Sequence, residues 1–122
     1  MNYRLFRAGV YRHYKDHLYE VMCLTHDAND EQRICVFYIG LELDKVNEGP
    51  RHAVRTYQDF YGWINLASKE EVTSAEWARK SLAAQAHAQE AGFIRRFTYL
   101  GPVFEANMLE GAPPNGDGQP AL

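Results

Sequence analysis

The run Gly9-Val10-Tyr11-Arg12-His13-Tyr14-Lys15 and the apolar stretch Leu18 to Thr25 that follows it constrain this chain more than any other feature. Val10 to Tyr14 and Leu18 to Thr25 have strand length, and Lys15-Asp16-His17 between them is polar and turn-forming. The second stretch is nearly continuous in apolar residues, which suits a central strand. After the polar turn His26 to Glu31, a third strand is expected from Arg33 to Ile39, ending at Gly40. Most other apolar segments need a sheet to pack on, and this meander supplies one. The aromatic share of 13% fits a mainly β protein, because rings pack well on pleated surfaces and fill small interiors.

Residues 3–8 mix apolar and basic side chains and read as a lead-in segment or edge strand. Asp44 to His52, with Asn47, Gly49 and Pro50, reads as a loop. Ala53 to Thr56 reads as a short strand. Thr56, with Asp59 three residues on, caps a helical turn through Trp63. Ser68-Lys69-Glu70-Glu71 and Thr73-Ser74-Ala75-Glu76 are two overlapping capping boxes, and one of them starts a single helix reaching about Ala91, with Gly92 as its stop. Val72, Trp77 and Leu82 are its large apolar anchors. Phe93 to Leu100 reads as one strand, and the Pro- and Gly-rich stretch from Gly111 onward as a flexible tail. The domain reading is therefore one unit over residues 3–110 and a tail over 111–122.

A chain of 122 residues is one domain by size. A net charge of −3 argues against a whole-molecule polyanion binder and leaves room for a local basic patch. No run approaches the ~18 apolar residues of a membrane span, and the first residues lack the apolar stretch of a secretion signal. With two cysteines, this points to a cytoplasmic location and reduced thiols. A turn symmetric about Asn29 sets Cys23 opposite Cys35, as near but unbonded neighbours.

Strand alternation puts Tyr11 and His13 on one face and Arg12 and Tyr14 on the other. Such a run can form a cationic, aromatic surface for an anionic or nucleotide-like ligand. The competing role is packing of Tyr11 or Tyr14 with Arg12 and Lys15 solvated, which is the commoner fate of strand aromatics. The five histidines have no metal-ligand spacing, so no metal is assigned, and no other cofactor. Both cysteines lie mid-strand and read as inert thiols. Asp27 to Glu31 lacks the glycine and distal glutamate of a calcium loop. No catalytic residue is assigned.

Tyr11-Arg12-His13-Tyr14-Lys15, then Tyr19-Glu20-Val21, then Val54-Arg55 and Arg96-Phe97 resemble the strings of domain of unknown function family 1653, a group of small bacterial proteins. The resemblance covers about residues 9–60 and 93–100. It departs at Asp16, where the family usually has Gly, at Ala53, often Trp, and at Thr56, which replaces Pro. The helix of residues 68–91 looks like an insertion. The resemblance implies an SH3-like small β-barrel with one added helix, and it implies no activity. Each of the three separated strings carries one arginine, so Arg12, Arg55 and Arg96, with His13, are the expected contacts of a binding module for an anionic small molecule, nucleic acid or peptide. The alternatives are an enzyme using His13 with a nearby carboxylate such as Glu20, and a protein–protein assembly module. Oligomeric state is left open.

Overall fold

Asp27 and Asn29 close the tightest turn of the meander. The Asp27 carboxylate accepts from the Asn29 backbone N–H at 2.8 Å, and Asp27 pairs with Asp30 across a two-residue loop. The structure, a computed structural model, describes residues 3–42 and 52–103. Strands β1 (Gly9–His13), β2 (Leu18–Asp27) and β3 (Asp30–Gly40) form the expected meander, with β2 and β3 longer than the sequence pattern suggests. β4 (His52–Thr56) pairs with β3. The tail expected from Gly111 onward and most of the expected loop at 44–52 lie outside the described residues.

Register in the β2–β3 hairpin differs from the symmetric expectation. Cys23 lies opposite Phe37 and Cys35 opposite Thr25, because an irregularity between His26 and Asp27 shifts the ladder next to the turn. Both thiols are free; Cys23 is exposed and Cys35 buried.

Thr56 caps α1 (Tyr57–Phe60) as read: its hydroxyl accepts from the Asp59 N–H at 3.3 Å. This single turn drives Phe60 and Tyr57 into the core beside Tyr11, Val21, Val36, Tyr38, Tyr61 and Phe97. The lead-in segment is not a strand. Tyrosine hydroxyls tie it down instead: Tyr57 accepts from the Leu5 N–H at 3.1 Å, and the Tyr11 hydroxyl donates to the Arg7 carbonyl at 2.8 Å.

The single helix expected over 68–91 is not what forms. β5 (Trp63–Asn65) is followed by a turn in which the Ser68 hydroxyl accepts from the Glu70 N–H, and β6 (Glu71–Val72) pairs back onto β5. The second capping box is the one used. Thr73 and Glu76 satisfy each other's backbone N–H groups at the start of α2 (Ser74–Ala78). Ser81 then caps a separate α3 (Leu82–Glu90), so two caps compete and the helix breaks between them. Trp77 anchors α2 by stacking on Trp63 at 3.9 Å. Leu82, expected as an anchor, is 83% exposed, and α3 buries Ala88 alone. Gly92, at φ +111°, ends α3 in a conformation glycine adopts freely.

Phe93 to Leu100 also divides, into β7 (Phe93–Arg95) and β8 (Phe97–Gly101). β7 pairs with β5 and β8 with β1. The result is a five-stranded antiparallel sheet, order β4-β3-β2-β1-β8, and a three-stranded sheet, order β6-β5-β7. The architecture is mainly β but the described strands form two open sheets, not the closed barrel expected, because the chain leaves one sheet for the other at Arg96.

Asp16 stands at φ +70°, in the left-handed region, within the β1–β2 turn. Asp tolerates this conformation better than most residues, Gly best, and β-branched residues worst. Urea unfolding should therefore rank Asp16→Gly at or slightly above wild type, and Asp16→Val below it by about 1–2 kcal/mol. A valine variant as stable as wild type would contradict this placement.

Candidate functional site

The alternation of β1 sends Tyr11 and His13 to the same side of the sheet, opposite Tyr19 on β2 and Phe97 on β8. His13 is 9% exposed. Its ring lies 4.8 Å from Phe97 and 4.3 Å from Tyr14, centroid to centroid. Tyr19, Tyr38 and Phe97 contact one another at 5.3–5.9 Å and complete an aromatic wall at this end of the core. The backbone N–H of Lys15 donates to His13 Nδ1 at 3.2 Å. That bond makes Nδ1 an acceptor, so the neutral ring carries its hydrogen on Nε2.

Arg55 enters the same wall from β4. Opposite Val36 in the ladder, it shares that residue's core-facing side. Its Nε donates to the Tyr38 hydroxyl at 3.3 Å, and its Cζ lies 5.8 Å from the Phe97 ring centroid. Among the described residues no carboxylate pairs with it.

Arg96 occupies the bend between β7 and β8. Its N–H donates to the Gly62 carbonyl at 3.1 Å and its carbonyl accepts from the Tyr14 N–H at 2.9 Å, so its backbone joins the two sheets. Its side chain is buried. Nη1 pairs with the Glu71 carboxylate, while Nε is buried with no hydrogen-bond partner among the described residues. Burial of His13 and then the charges of Arg55, Arg96, Lys15 and His17 hold its pKa down at about 4.

Of the four residues expected to form a binding face, Arg55 and Arg96 both act electrostatically on His13, while Arg12 and His13 line a common cleft. Arg12 points the other way and pairs with Asp16 at 3.4 Å, both side chains exposed. A cleft of about 470 Å³ on that other side is lined by Arg12, Tyr14, Asp16, Ile94, Arg95 and Thr98, together with His13. Glu20 lies opposite Val10, so alternation turns it away from His13's face. Sequence reasoning did not identify the wall of Tyr19 and Tyr38, nor Glu71 as the partner of Arg96. Glu71 carried a visible signal only as part of an unused capping box. No group of His, Cys, Asp and Glu among the described residues could hold a metal ion, and no described helix is long and apolar enough to cross a membrane.

Residues 9–79, more than half of the chain, match the family described as "Protein of unknown function (DUF1653)". The span includes β5, β6 and α2, so the segment expected as an insertion begins inside the matched length. No curated protein and no solved structure matches the chain.

The depressed pKa of His13 has a definite sign in stability. Unfolded, the ring titrates near its ordinary value of about 6.5. Between that value and about 4, the unfolded chain binds the extra proton, so stability is full above the unfolded value and falls as pH drops toward 4. From pH 7 to 5 this group should cost the wild type about 2 kcal/mol, read by urea unfolding. His13→Gln, which cannot titrate, should lose that much less over the same interval. Equal losses in both proteins would contradict the assignment.

Proposed function

This chain belongs to the DUF1653 family of proteins of unknown function, and on that premise we propose that it is a binding module for a ligand carrying an oxyanion, seated against Arg55, Arg96 and His13. The observation that carries the reading is Arg96 Nε, a charged donor buried without an acceptor among the described residues. Leaving a buried donor unmade costs about 1–3 kcal/mol, more when the group is charged, and a ligand oxygen would supply the missing acceptor. With Nη1 committed to Glu71, the Nε and Nη2 hydrogens form the remaining edge of the guanidinium, a fork that matches two oxygens of a carboxylate or phosphate. Arg55 adds a second cation with no carboxylate partner among the described residues, its Nε held by the Tyr38 hydroxyl. His13 adds a neutral N–H donor. The partly buried ring of Tyr19 suits a ligand with a flat or apolar part, such as a nucleotide or a peptide terminus.

Arg12 stands outside this seat. The SH3-like kinship implied by the family strings belongs to the same reading, supported by the meander that packs over one aromatic core. The reading treats residues 3–110 as one binding unit in a cytoplasmic protein.

Inorganic phosphate titrated into the protein at low salt, followed by backbone amide shifts, tests the seat. Binding should weaken as sodium chloride rises. Arg55→Ala should weaken it at least tenfold while moving the melting temperature little, because Arg55 is half-buried with a single neutral hydrogen-bond partner. Absence of phosphate binding at low salt, together with unfolding of the Arg55→Ala protein, would show that these arginines serve the fold alone.

A further inference from the structure

We propose that the cleft between the β1–β2 turn and strand β7 is a second binding site, built for a small phosphate monoester held between Arg12 and Arg95. The inference goes beyond the seat at Arg55 and Arg96 and does not rest on it. The cleft measures about 470 Å³, within the range of small-molecule sites. It lies where the chain passes from the small sheet to the large one, so both sheets line it. Arg12 and Thr98 are direct cross-strand partners on β1 and β8, and they share the outer face of the large sheet. Ile94 and Arg95 come from β7 of the small sheet. Arg95 is the cross-strand partner of Trp63, and its guanidinium lies over that ring, Cζ 4.8 Å from the centroid. Trp63 is itself buried and stacked on Trp77. The cation is thus held on a rigid aromatic base, and no carboxylate pairs with it among the described residues.

Arg12 has one charged partner among the described residues, Asp16, at 3.4 Å from its Nε. Both side chains are exposed, and a pair of that kind is weak enough for a ligand to replace. Asp16 lines the same cleft, so an entering anion meets its charge. The two arginines therefore set two positive charges against one negative. His13 also lines the cleft, but its pKa is held at about 4, so at neutral pH it adds none. A phosphate monoester carries close to two negative charges and three acceptor oxygens. It can offset both arginines, which stand on different strands, and still offer an oxygen to the Thr98 hydroxyl. A carboxylate, with one charge and two oxygens, matches a single guanidinium. Tyr14 and Ile94, the latter 39% exposed, give the ester group an apolar surface. Asp16 stands at φ +70°, which asparagine also tolerates, so Asp16→Asn removes the competing charge and keeps the turn.

Phenyl phosphate, titrated at pH 7.5 and low salt, is the probe. The Nε–H resonances of Arg12 and Arg95 and the Thr98 amide should shift saturably, with affinity that falls as salt rises. Arg12→Ala and Arg95→Ala should each weaken binding by about tenfold or more. Asp16→Asn should tighten it by about three- to fivefold. Glu31→Gln, which removes an exposed charge at the far end of the β2–β3 hairpin, should leave it unchanged. Benzoate should bind about tenfold more weakly than phenyl phosphate. Arg55→Ala should leave the shifts at Arg12 and Arg95 as they are. If Arg95→Ala does not fold, Arg12→Ala and Asp16→Asn, both at exposed side chains, decide the matter. Absence of these shifts in the wild type and in Asp16→Asn would overturn the site, as would equal affinities in those two proteins. Benzoate binding as tight as phenyl phosphate would overturn the phosphate assignment. Loss of the Arg12 and Arg95 shifts in Arg55→Ala would place the ligand at the other seat and overturn a separate site. A shift at Arg96 Nε–H with none at Arg12 or Arg95 would leave that seat standing and overturn this inference alone.

Discussion

Phe97 is the contact on which the rest of this structure depends. Its ring stacks on Phe60 at 4.0 Å and meets His13, Tyr19 and Tyr38 on its other sides. Those residues come from α1, β1, β2 and β3, so one side chain on β8 ties the meander to the capped turn that follows β4. Aromatic pairs in edge-on and offset arrangements contribute about 0.5–1.5 kcal/mol each beyond the area they bury. Phe60 is fully buried, and truncating either ring would open a cavity in the middle of the five-stranded sheet. The same ring is also the surface beneath Arg55. Core and candidate site are thus two sides of one cluster.

Arg96, one residue earlier, performs a different task with its backbone than with its side chain. The backbone carries the chain from the small sheet to the large one, through bonds to Gly62 and Tyr14. This junction prevents a continuous strand from Phe93 to Leu100 and leaves two open sheets among the described residues. The side chain is drawn inward by the same bend. Burial of a guanidinium is costly unless it is paired, and Glu71 supplies the pairing only at Nη1. A purely structural arginine at a sheet junction would be expected to have its Nε satisfied as well.

Much of the large sheet was legible in the sequence, because the strands of the meander are separated by strong turn signals and follow a clear apolar pattern. The Thr56 cap was legible for the same reason: its partner Asp59 is three residues away and the interaction is local. What failed was non-local. The ladder irregularity that separates Cys23 from Cys35 leaves no mark in residue type. The short strands Trp63–Asn65 and Glu71–Val72 are too brief to show a period; Trp63–Asn65 pairs with Glu71–Val72 on one side and with β7 on the other. The helix was overextended because Ala-rich sequence looks continuous, whereas Ser81 offers the backbone a competing cap. Asp16 is the reverse case: the departure from the family's usual Gly marked a position that requires a left-handed backbone. In the site, alternation along β1 puts Arg12 and His13 on opposite faces of the strand, yet both line one cleft, and the pairing of Arg96 with Glu71 depends on β6 lying beside β5, which composition does not encode.

The central claim is that Arg96 Nε is held in the protein as a donor awaiting an anion. The most direct measurement is the ¹H–¹⁵N resonance of that side-chain Nε–H, observed while selenate is added at low salt. The account predicts that it moves downfield in a saturable manner and becomes slower to exchange with water. An Arg96 Nε–H that stays in place while Arg12 and the exposed lysines shift would show that anions meet only the outer surface, and would contradict the account.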